Sequence, residues 1–127
     1  MAMKILRGAT TIESAAVSDG GEPSCYVMAY RRMLQSPQAD RRFKRLLAIA
    51  ETPAGRLYAL AGLYWTDPEE FEGLLPRFLA DDETRVHQLF TCLGSEETVA
   101  DVAARIEDGF WPKQWAYGLP VEHVRGQ

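Results

Sequence analysis

Phe43-Lys44-Arg45-Leu46-Leu47 returns 28 residues further on as Phe71-Glu72-Gly73-Leu74-Leu75, and the spacing recurs once more as Val99-Ala100-Asp101-Val102-Ala103. Ala50, Phe78 and Ile106 supply the fourth position of each stripe. Apolar residues at i, i+3, i+4 and i+7 line one face of a helix, and a helix that recurs at a fixed period is the mark of stacked helical hairpins. The pattern predicts an all-α fold of antiparallel hairpins stacked as a short α-solenoid of about seven helices. Because any amphipathic helix shows the same spacing, an irregular all-α bundle is the alternative.

Punctuation agrees with the period. Pro23, Pro37, Pro53, Pro68 and Pro112 suit the first turn of a helix, where a missing N–H is harmless and the fixed φ is already helical. Ser36, Thr52 and Asp67 precede three of them as N-caps, and Asp67 with Glu70 has capping-box spacing. Asp82 and Ser95 are read as opening two more helices, so starts are expected near 23, 37, 53, 68, 83, 96 and 112. Leu57-Tyr58-Ala59-Leu60-Ala61-Gly62-Leu63-Tyr64-Trp65 is apolar on every side and is predicted to be the centre of the core. Glu83 to Leu93 reads as a helix burying Val86, Leu89, Phe90 and Leu93 and stopping at Gly94. Pro76 conflicts with the helix from Pro68, which must bend there or restart. Residues 1–22 are expected to be a mobile arm or amino-terminal cap, 23–119 the repeat domain and 120–127 a tail.

With 127 residues, 46% of them apolar, the chain makes one domain and is not a disordered tail. The longest uncharged apolar run is the nine residues from Leu57 to Trp65, against the roughly 18 a membrane span needs. Lys4 and Arg7 are followed by no apolar signal core, so a cytoplasmic location is expected. Eleven Arg against three Lys suggests a GC-rich bacterial genome. No nucleophile, phosphate-loop, dinucleotide or zinc motif is present, and neither catalysis nor a cofactor nor a metal is expected. Cys25 and Cys92 read as small core residues without a Cys-x-x-Cys partner, and His87 with Cys92 is i, i+5. His87 is expected to be a partly exposed packing residue and His123 to sit in a polar tail. The carboxylates Asp67, Glu69, Glu70, Asp81, Asp82, Glu83, Glu96 and Glu97 fall at helix starts, where the dipole accounts for them.

Phe71-x-x-Leu74-Leu75, then Ala80-Asp81-Asp82-Glu83-Thr84-Arg85-Val86, then Leu89 and Cys92-Leu93-Gly94, together resemble one unit of the short HEAT-like repeats of the phycobilisome-lyase type. Residues 38–66 are similar to a second unit and 96–119 to a worn third. Tetratricopeptide or armadillo-like stacking gives the same pattern. The resemblance implies a first helix bent at Pro76 and a ladder between repeats carried by Asp82 and Arg85, with Arg56 supplying half of another. The family order is valine then arginine, and here it is Arg85-Val86.

Charge is distributed unevenly. Residues 1–66 carry nine basic and five acidic side chains, while residues 67–127 carry five and thirteen. Arg31, Arg32, Arg41, Arg42, Lys44 and Arg45 concentrate six cations in fifteen residues and are the candidate partner-binding surface. Phe110, Trp111, Trp115 and Tyr117 form an aromatic cap on the terminal repeat, or a peptide-binding patch. The function expected is a non-catalytic helical-repeat protein, a protein-interaction or scaffold module. The alternative is a binder of nucleic acid or another anionic ligand through the Arg31–Arg45 cluster. A pI near 5.2 and the lack of aromatics among these cations weigh against nucleic acid. An acidic protein partner or head-to-tail self-association uses the same charges.

Overall fold

In the computed structural model, which describes residues 1–15, 23–90 and 93–120, the chain runs α1 (Ala2–Arg7), β1 (Thr11–Glu13), α2 (Cys25–Leu34), α3 (Ala39–Ile49), α4 (Pro53–Thr66), α5 (Pro68–Leu79), β2 (Arg85–Phe90), β3 (Leu93–Thr98), α6 (Val99–Glu107) and α7 (Phe110–Trp115). Local chemistry sets most helix starts. Thr52 accepts from Gly55 N at 3.0 Å and Asp67 from Glu70 N at 3.1 Å, and Pro53 and Pro68 each occupy the first turn that follows. Ser24 and Thr98 cap α2 and α6 in the same way. Ser36 is no cap; its hydroxyl donates to Met33 O, and α3 instead follows Gln38 in a left-handed conformation. Pro76 is accommodated inside α5, which runs unbroken to Leu79.

The all-α expectation is overturned at Arg85–Phe90. This segment is the middle strand of a three-stranded sheet, parallel to β1 (Ile12↔Gln88) and antiparallel to β3 (Gln88↔Ser95, Phe90↔Leu93). Val86, Leu89 and Phe90 satisfy a helical stripe, yet Val86, Gln88 and Phe90 also alternate as one face of a strand. The loop decides how the chain enters. Asp81 Oδ1, read as part of a helix start, accepts from both Glu83 N (3.2 Å) and Thr84 N (2.9 Å), closing a turn that leads out of α5 into extended backbone. Arg85 is therefore the first residue of a strand and the Asp82–Arg85 ladder does not form. Gly94 lies in β3, not at a helix end, and α6 begins three residues later than Glu96.

The stripes themselves are genuine helix faces: Phe43, Leu46, Phe71, Leu75, Val99, Val102, Ala103 and Ile106 are all buried. What they do not do is stack. In a solenoid each unit touches only its neighbours, whereas α4 is packed against the other six helices, β1 and β2. Every residue from Leu57 to Trp65 is buried. The close fit of α3 onto it requires Gly62, since a Cβ there would stand 2.1 Å from Phe43 Cδ1.

The amino-terminal residues, expected as an arm or cap, place Leu6, Ala9 and Ile12 in the core and supply β1. Cys25, expected in the core, is exposed because it opens α2 one residue after the Ser24 cap. Cys92, His123 and all but the first residue of the expected tail lie outside the described residues. Among the described residues no helix is long and apolar enough to cross a membrane.

Candidate functional site

The six expected cations separate by role. Arg31 is half-buried, and its Nη1 donates to Trp115 O and Tyr117 O, both at 2.9 Å, so it closes the carboxyl-terminal end of α7. Lys44 Nζ lies 2.7 Å from Asp67 Oδ2. The hydrogen bond between them raises the lysine's pKa and holds the Asp67 carboxyl below the usual carboxylate range. Arg32, Arg41, Arg42 and Arg45 are exposed and form no ion pair with a described residue. Along α2, Met28, Arg31, Arg32, Gln35 and Ser36 line a shallow hollow of about 480 Å³.

The aromatic segment faces inward. Trp115 is fully buried against Tyr30, Tyr58 and Trp111, and Trp111 is 1% exposed. Phe110 is half-buried under the Arg105 guanidinium, 4.0 Å from its ring centroid, and only Tyr117, 83% exposed, is available to solvent. The indole Nε1 of Trp111 is buried without an acceptor among the described residues.

This interior closes one edge of the sheet. Tyr58 Oη donates to Thr11 O at 2.9 Å and accepts from Glu13 N at 3.0 Å, as a neighbouring strand would. Trp115 Nε1 donates to Glu13 O at 2.7 Å, and Gln114 Oε1 accepts from Ala15 N at 3.1 Å. Burial of the Tyr58 hydroxyl raises its pKa well above the ordinary phenol value, so it remains a donor at neutral pH.

The opposite edge is open among the described residues. Ser14 N donates to Leu89 O, which aims the main chain of Leu89 at β1. Alternate residues point to opposite sides, so Val86, Gln88 and Phe90 face β3 and pair there with Glu97, Ser95 and Leu93. The main-chain groups of Gly94 and Glu96 consequently point away from the sheet. Residues 93–96 are exposed, Leu93 to 72%, and no further strand lies beside them. His87 stands on the outer sheet face with Nδ1 3.8 Å from Glu96 Oε2, exposed and not packed.

A second concavity of about 340 Å³ forms where α3, α4, α5 and α6 meet. Half-buried Leu47, Leu74 and Phe78, with buried Val99, make its floor, and Arg56, Arg77 and Asp81 its rim. The backbone hydrogen bond from Thr84 is the main cause of a lowered Asp81 pKa, and the nearby Arg56 charge adds to it. Neither arginine forms an ion pair with a described residue.

Both features escaped sequence reading. An open edge is a property of strand order; Arg56 is expected only as half of a ladder between repeats, and Arg77 carries no sequence mark beyond standing next to the stripe residue Phe78. Among the described residues no group of three or more His, Cys, Asp or Glu side chains is placed to hold a metal ion. No protein-family model, curated protein or solved structure matches the chain.

Proposed function

We propose that the protein is a non-catalytic interaction module that takes an extended, basic segment of a partner protein as a fourth strand beside β3. The observation that carries this reading is the contrast between the two sheet edges: side chains satisfy the β1 edge, and among the described residues the Gly94 and Glu96 main chains are left open. Strand addition draws its affinity from such main-chain groups and its specificity from alternate side chains. Glu96 and Glu97 border the edge, and the Asp81-Asp82-Glu83 turn adjoins its far end through the bond from Ala100 N to Asp81 O. Exposed Leu93 and Phe90 lie at the other end. The complementary segment carries lysine or arginine opposite the glutamates and an apolar residue at the hairpin end.

The test titrates the protein with a labelled ten-residue Val/Lys alternating peptide and with its Val/Glu counterpart, following backbone amide resonances. Binding of the basic peptide alone, with protection of the Gly94 and Glu96 amides, is the expected result. Glu96→Pro removes an outward N–H without touching the ladder to β2 and should abolish it. Equal binding of both peptides, or shifts centred away from β3, would overturn the reading. Exposed Arg32, Arg41, Arg42 and Arg45 support a second reading, an anionic partner on the opposite half of the chain. That reading requires Arg41→Glu/Arg45→Glu to lose a salt-sensitive interaction that Glu96→Pro leaves intact.

A further inference from the structure

We infer that the concavity between α3, α4, α5 and α6 is a binding site for a small free carboxylic acid with an apolar body. Three observations converge on that chemistry. The floor is apolar and incompletely buried: Leu47, Leu74 and Phe78 pack against the core yet keep surface toward the cavity. Exposed apolar area collected in a concavity, not scattered over a surface, is characteristic of ligand sites.

The rim has a surplus of positive charge. Arg56 and Arg77 line the cavity together with one carboxylate, Asp81, whose Oδ1 is already engaged by two main-chain N–H groups. Asp81 therefore remains ionised and offsets one arginine, and the other is left for a ligand anion. An arginine fork binds a carboxylate in two parallel hydrogen bonds, which supplies orientation as well as energy.

Size selects the class. About 340 Å³ lies at the low end of the range for small-molecule sites and is too little for a folded segment of a partner. An acid whose carboxylate meets Arg56 and Arg77 and whose chain lies over Leu74 and Phe78 uses every feature of the cavity. The cavity meets the surroundings of the β3 edge only at the Asp81 turn and Val99, and Arg56→Gln or Arg77→Gln leaves the Gly94 and Glu96 main chains untouched, so each proposal is tested without the other.

The experiment titrates the whole chain with octanoate, octan-1-ol, acetate and N-acetyl-glycyl-leucine, following amide resonances and heats of binding. Octanoate should shift the amides of Arg56, Phe78 and Val99 and bind roughly tenfold or more tightly than octanol or acetate. Arg56→Gln and Arg77→Gln should each weaken octanoate by about tenfold and leave octanol unchanged, and Arg32→Gln should change neither. Octanol binding as well as octanoate would mean a greasy surface only and would overturn the assignment. So would shifts centred elsewhere, variants that bind like wild type, or tighter binding of the dipeptide, which would make this a docking site for peptide carboxyl termini.

Discussion

The indole Nε1 of Trp115 donates to the main-chain carbonyl of Glu13 at 2.7 Å, joining residues 102 positions apart and closing the β1 edge from behind. Its neighbour in sequence and space, Trp111, is as deeply buried but has no acceptor for its own Nε1 among the described residues. The same substitution at the two positions therefore has unequal consequences. Both lose part of the indole packing, but Trp115→Phe also takes the indole donor from a half-buried carbonyl, whereas Trp111→Phe removes a buried donor with no acceptor among the described residues. Trp115→Phe should be the more destabilising by about 1–3 kcal/mol, measured by urea denaturation.

Tyr58→Phe tests the edge directly. Without the hydroxyl, Thr11 O loses its donor and Glu13 N its acceptor, a loss of roughly 2–3 kcal/mol in all. The Glu13 amide should exchange with solvent faster in the variant than in the wild type, while the Leu60 amide keeps its relative protection.

Alkali should act through the same group. Burial raises the pKa values of Tyr30 and Tyr58 above the unfolded value of about 10. A folded pKa above the unfolded one means full stability below about pH 10 and progressive loss as pH rises beyond it, because the unfolded chain releases those protons first. Denaturation midpoints taken between pH 8 and 11 should show this fall, and Tyr58→Phe should flatten it.

Gly62 and Gly73 both lie inside helices, and their surroundings differ. A Cβ at Gly73 meets nothing within 4 Å, so Gly73→Ala should stabilise by up to about 1 kcal/mol through helix propensity. A Cβ at Gly62 would collide with the Phe43 ring, so Gly62→Ala should destabilise by about 1–3 kcal/mol despite the same propensity gain. Thermal unfolding of the two variants should move in opposite directions.

Local chemistry carried much of the fold. Thr52-Pro53 and Asp67-Pro68 set the starts of α4 and α5 because a cap and a fixed φ act within one turn. The Phe43, Phe71 and Val99 stripes marked buried faces because helical periodicity is local too. The candidate sites were less legible. Arg31 and Lys44 stood in the expected basic surface, yet the carbonyls of Trp115 and Tyr117 hold one and Asp67 the other, partners that no i, i+4 rule supplies.

Arg85–Phe90 marks the boundary. Its Val86, Leu89 and Phe90 fit a helical stripe and its apolar and polar residues do not alternate as a strand's would, so the extended course was set by groups elsewhere: the Asp81 turn that feeds it, β3 that folds back on it, and β1, which reaches it from the other end of the chain. Strand pairing is satisfied by long-range hydrogen bonds, and neither the residues of β2 nor their period encode which segments lie alongside. The sequence by itself determined α2 to α7 and the central place of Leu57–Trp65, but neither α1 nor the extended course of Arg85–Phe90. Tertiary structure alone decided the sheet, its closed edge and the edge left open among the described residues, and the placing of Arg56 and Arg77 around one apolar floor, because each depends on backbone or side chains brought together only when the helices pack around α4.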